Sequence, residues 1–149
     1  MNYWLLKTEP EVFSYQDLVR LGSSPWDGIR NYQARNHLRE MKLNDLAFIY
    51  HSSTNPIGIA GIARIIETAH PDELQFNPES QYFDPKSPLE NPRWSQIVLE
   101  PVRELPFLEL SLLRTETKLE GMLILRKGNR LSVTPVEEKH YQHILKIAK

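Results

Sequence analysis

Between Leu46 and Ser52 the chain alternates with a period of two. Leu46, Phe48 and Tyr50 fall on one side, and Ala47, Ile49 and His51 on the other. That period belongs to a strand. Gly58 to Ile66 is a second β-rich run, and its Gly58 and Gly61 signal a bend or a close backbone approach. Tyr3 to Lys7 reads as a buried first strand, and Ile97 to Arg103 as another. Helical signals are shorter. Ser14 to Asp17 forms a capping start for a helix that runs to Leu21 and stops at Gly22. Gly28 marks a turn before a helix from Asn31 to Met41, in which Ala34, Leu38 and Met41 make one apolar stripe. Leu108 to Leu113 reads as helical, and Thr134-Pro135-Val136-Glu137 as the capped start of a last helix ending near Ile147. The expected fold is α+β, a small curved or barrel-like sheet decorated by short helices.

The length of 149 residues suits a single domain, 1–149, without internal repeats. Pro78 to Pro92 is the one linker-like stretch. Tyr82, Phe83 and Trp94 are interleaved with its prolines or follow them, so it reads as an ordered loop packed on the domain. The N-terminus lacks a basic region followed by a long apolar run, and no stretch has the length of a membrane span. A cytoplasmic location without membrane contact is therefore expected.

Chemistry is narrowed first by what is missing. Without cysteine there is no thiolate zinc site and no cysteine nucleophile. His140 and His143 lack an evident third ligand and read as a solvent-facing pair, so no metal and no cofactor is expected. His51, Ser52 and Ser53 are consecutive on a strand and point to alternate faces, which is unsuited to a nucleophile and its base. No phosphate-binding glycine loop or nucleophile elbow occurs, and the chain is not read as an enzyme.

A formal charge of -1 exerts no global pull on nucleic acid, so any such role rests on local charge. Arg30, Arg35, Arg39 and Lys42 lie in one segment with a single acid, Glu40, and Asn31, Arg35, Arg39 and Lys42 share one helical stripe. A second basic cluster is Arg126, Lys127 and Arg130, while acids gather between Glu67 and Glu90. Trp4 and Trp94 read as core. Trp26 lies in a turn-rich segment just ahead of the basic helix, where an aromatic plate beside cations suits stacking of a base and holding of its phosphates.

Four segments, Trp4 to Pro10, Trp26 to Asn36, Phe48 to Ser52 with Gly61 to Ala63, and Tyr82 to Lys86 leading to Asn91 to Trp94, resemble the EVE domain family in that order. Arg130 to Val136 adds a fifth. Thr8 stands where serine is frequent in that family, and Asn44 where glycine is usual. The resemblance implies a PUA-like curved β-barrel related to YTH domains, and recognition of modified bases such as 5-methylcytosine in DNA or RNA. By the same resemblance Lys7 and Thr8 border a pocket and Trp26 is its stacking wall. Asn31, Tyr50, His51 and Ser52 supply polar or lining contacts, and Tyr82 closes it. Arg30, Arg35, Arg39 and Lys42 are expected to hold phosphate. Two other readings are an enzyme acting on a modified nucleotide, with Asp27, His51 or Asp84 as base, and a small-molecule or protein-interaction module.

Overall fold

The computed structural model describes residues 1–149. In chain order its elements are β1 (Tyr3–Thr8), α1 (Tyr15–Leu21), β2 (Ser24–Trp26), α2 (Tyr32–Glu40), β3 (Leu46–His51), β4 (Gly58–Pro71), β5 (Ser95–Glu109), α3 (Leu110–Leu113), β6 (Val133–Val136) and α4 (Glu138–Ile147). Short 3-10 turns occupy Glu73–Phe76, Thr117–Leu119 and Leu123–Leu125. The strands form one sheet in the order β2-β5-β4-β3-β1-β6. Only the β1–β3 pair is parallel.

Alternation along the central strands decides the interior. Ala47 and Ile49 join Trp4, Leu6, Tyr15 and Leu38 on one face of the sheet. Phe48 and Tyr50 join Leu5, Leu113 and Tyr141 on the other. The β4–β5 pairing carries repeated register shifts. Each shift inserts a residue on one strand and sharpens the local twist, so the long pair curls. The α+β architecture with a curved sheet is as expected, and the sheet stays open because β2 and β6 are its two edges. At Gly61 a Cβ would lie 2.4 Å from the Tyr15 ring, which explains the glycine: the ring packs directly on the strand backbone.

The helix boundaries follow local rules. Ser14 and Asp17 form a reciprocal capping box, and Gly22 ends α1 with φ 82°. Asn31 caps α2 by accepting the Ala34 N–H, and Ala34, Leu38 and Met41 are buried along it. β4 and β5 extend past the expected Ile66 and Arg103. Hydrophobic alternation reports burial, whereas backbone pairing continues where residues such as Glu67 and Glu104 face water.

Two expectations are corrected. Thr134 to Val136 is strand β6 rather than a helix start: Thr134 is buried opposite Leu5, and Pro135 sits opposite Trp4. Proline lacks a donor, and an edge strand is where that is tolerated. His140 is buried, and His143 Nε2 lies 2.6 Å from Glu116 Oε1, so the two histidines are not a solvent-facing pair.

Candidate nucleic-acid interface

A cleft of about 640 Å³ opens beside the end of β1. Lys7, Thr8 and Glu9 form one side, Val12 and Phe13 another, and Ser24 to Ile29 a third, with Gln81, Tyr82 and Ser132 at the margin. This volume falls in the range that encloses a small ligand. Trp26 belongs to strand β2, paired with Ile97, instead of a loose turn. It is 6% exposed, packed edge-on against Phe13 with ring centroids 5.9 Å apart. The indole is therefore both a core residue and part of the cleft wall.

The rim is organised by Asp72, whose side chain is 0% exposed. Its Oδ2 accepts the Gly28 N–H and Arg30 Nη1, each at 2.9 Å, and its Oδ1 accepts the Leu74 N–H at 2.8 Å. Arg30 Nε also donates to the Tyr82 carbonyl at 3.0 Å. One carboxylate thus ties the turn after β2 to the proline-rich loop. Gly28 has φ 78°, and the Tyr82 ring lies so close that a Cβ there would sit 2.9 Å from it.

Arg30 is stacked between two rings, 5.4 Å from the Tyr82 centroid and 5.5 Å from that of Trp94. Trp94 in turn stacks on Tyr32 at 4.8 Å, and the Arg35 guanidinium lies 4.8 Å from the Tyr32 ring. Tyr82, Arg30, Trp94, Tyr32 and Arg35 make one continuous column. The Trp94 indole N–H donates to Asp84 at 2.8 Å, and Gln75 and Ser87 secure the same loop from inside. The stretch from Pro78 to Pro92 is the ordered, packed loop its aromatics foretold.

Of the expected pocket residues, Lys7, Thr8, Trp26 and Tyr82 meet at the cleft. The others do not line it. Asn31 is engaged in capping α2, and Tyr50 is buried in the cluster on the opposite face of the sheet. His51 Nε2 accepts the Tyr15 N–H at 3.1 Å, and the Ser52 N–H donates to the Thr8 carbonyl at 2.9 Å. Those two act as supports beneath the end of β1.

The expected phosphate ligands are likewise redistributed. Arg30 is held by Asp72 through Nη1 at 2.9 Å. Arg35 Nη1 donates to the Arg93 carbonyl, while Arg39 bonds Ser95 Oγ and the carbonyls of Pro92 and Arg93. Both clamp α2 to the proline-rich loop. Lys42 is exposed beyond the end of α2.

Phe13, Ser24, Gln81 and Ser132 were missed as lining residues, although Ser132 lies inside a segment that carries the family resemblance. Asp27, expected only as a candidate base, lines the cleft as well. Burial and the nearby Asp72 carboxylate push the Asp27 pKa up, while burial alone pulls that of Lys7 down. The cleft therefore offers a carboxyl acceptor on the exposed Asp27 and an ammonium donor on the half-buried Lys7. Asp84 is occupied by Trp94, and His51 lies behind β1, so the three candidate bases do not converge.

Burial lowers the His51 pKa. The unfolded chain accordingly takes up a proton that the folded chain resists. Stability is full above the ordinary histidine value of about 6.5 and is lost as pH falls below it. Thermal unfolding from pH 8 to 5 is expected to show that decline, with a shallower one in His51→Gln. Parallel curves for the two proteins would remove His51 from the effect.

The EVE domain model matches residues 2–147. Thymocyte nuclear protein 1 of mouse is 38% identical over 98% of this chain and 73% of its own length. A crystal structure of a Pseudomonas syringae protein aligns with TM-score 0.95 and 44% identity, covering 99% of each chain. Human THYN1, solved in complex with DNA containing 5-methylcytosine, aligns with TM-score 0.93 and 37% identity over 100% of this chain and 98% of that one. The mammalian relatives are named nuclear proteins, which overturns the cytoplasmic location expected from sequence. An N-terminus without a secretory pattern does not distinguish cytoplasm from nucleus. With one family model matched almost from end to end and relatives of this similarity, the chain belongs to the EVE domain family.

Proposed function

We propose that the chain is a nucleic-acid-binding module that captures an extruded, modified base, with 5-methylcytosine in DNA as the leading candidate. The observation that carries this is the meeting of Lys7, Thr8, Trp26 and Tyr82 around one cleft, of about 640 Å³, roomy enough to admit a base. The human relative solved with methylated DNA supports the choice of ligand.

The energetics limit how the cleft would work. Extruding a base costs a few kcal/mol, and stacking on an aromatic returns about 1–3 kcal/mol. Phosphate contacts must supply much of the remainder, so binding is salt-dependent. Burying one methyl adds about 0.8 kcal/mol, only a few-fold in affinity. Sharper choice needs polar groups that a wrong base leaves unpaired. Asp27 is suited to accept from the exocyclic amine of cytosine, and Lys7 to donate to a ring acceptor.

The test is titration of duplex oligonucleotides of one sequence, with and without a single 5-methylcytosine, at 50 and 200 mM salt. Tighter binding of the methylated duplex, weakening steeply with salt, is expected. Equal affinity for both, or none for either, would refute capture of this base. RNA of the same sequence separates the two nucleic acids.

A further inference from the structure

Resting on the base-capture reading, we propose that the loop from Leu125 to Leu131, together with Arg114, is the track that holds the phosphates flanking the captured base. Arg126, Lys127 and Arg130 are exposed, and none of them enters a salt bridge. They contrast with Arg30, Arg35 and Arg39, whose guanidinium groups are already bonded to protein.

The backbone that presents these cations is fixed. Asn129 Nδ2 donates to the Leu123 carbonyl at 2.7 Å, its Oδ1 accepts the Leu131 N–H at 3.0 Å, and its N–H reaches the Arg126 carbonyl at 3.1 Å. Gly128 turns the tip with φ 82°. A shaped backbone with free cationic side chains suits repeated anionic groups along a polymer, because little further ordering accompanies binding.

Position ties the loop to the cleft. Lys7 lines the cleft, its Nζ donates to the Asn129 carbonyl at 3.4 Å, and its N–H donates to the Ser132 carbonyl at 2.9 Å. On the far side Arg114 and Arg126 line a second hollow of about 590 Å³. Its acids are Glu116, engaged with His143, and Glu120. Cationic groups therefore run from the cleft across the loop to the second hollow, as a strand leaving the extruded nucleotide requires.

The experiment compares wild type with one protein carrying Arg126→Ala, Lys127→Ala and Arg130→Ala, using duplex DNA with one 5-methylcytosine or none. The slope of log K against log salt is expected to become shallower by about 0.9 for each phosphate that the variant no longer neutralises. The ratio of methylated to unmethylated affinity should remain. All three side chains are exposed, and circular dichroism verifies the fold. A control protein with Lys139→Ala and Lys146→Ala on α4 should keep the wild-type slope. A triple variant with the wild-type slope, beside a wild type that prefers methylated DNA, overturns the loop assignment and leaves base capture standing. A wild type that binds neither duplex overturns base capture itself.

Discussion

Asp72→Ala is expected to destabilise the protein by about 3–5 kcal/mol, read as a lower urea midpoint at unchanged slope. Three donors converge on this carboxylate: the Gly28 N–H, Arg30 Nη1 and the Leu74 N–H. Its removal strands a largely buried guanidinium whose Nη2 already has no hydrogen-bond partner. That uncompensated charge dominates the loss, more than the missing bonds themselves. Asp72→Asn retains an acceptor oxygen but not the charge, so a smaller loss is expected. Since the same carboxylate fixes the turn after β2 to the Tyr82 loop, DNA affinity should fall with stability. A loss under about 1 kcal/mol for Asp72→Ala would mean that Arg30 finds water, and that Asp72 does not anchor the rim.

The second large effect concerns Trp26. Trp26→Ala removes a core side chain and should cost about 3–5 kcal/mol of stability, which confounds any binding measurement. Trp26→Leu separates the two roles, because leucine retains apolar volume while removing the flat ring. This variant is expected to stay folded and to lose about 1–3 kcal/mol of affinity for DNA bearing the modified base. That corresponds to roughly fivefold to more than a hundredfold in Kd. Folded Trp26→Leu with wild-type affinity would leave Trp26 a core residue with no stacking role.

Much of this was legible in the residues, for identifiable reasons. Alternation in β3 assigned Phe48 and Tyr50 to one face and Ala47 and Ile49 to the other, and the two core clusters divide in that way. The cap of α1 is a local signal and was found where the sequence places it, whereas Asn31, expected as the first residue of α2, is its cap. Thr134 to Glu137 misled because its capping pattern is also local, whereas pairing with β1 is decided by a strand more than a hundred residues away. The Trp26 segment looked like a turn because a three-residue strand with a proline carries no periodicity.

At the site, Lys7, Thr8, Trp26 and Tyr82 were legible through the family resemblance. The ion pair of Arg30 was not legible because nothing in its neighbourhood announces a partner 42 positions away. Asp72 looked like one more acid in an acidic stretch. Burial of a carboxylate against a distant guanidinium is a property of the folded chain that no spacing rule encodes.

The column of rings and guanidinium groups has a consequence for ligand entry. Tyr82 is its terminal plate, and behind it Arg30, Trp94, Tyr32 and Arg35 lie in mutual contact down to α2. A planar guanidinium presents a flat surface to two neighbours at once; an ammonium group at position 30 would engage neither in that manner. The cleft is thus bounded by a braced wall whose conformational entropy was surrendered when the chain folded. Under the proposed base capture, an incoming nucleotide need not immobilise that side, and its residence time is free to reflect the fit of the base itself.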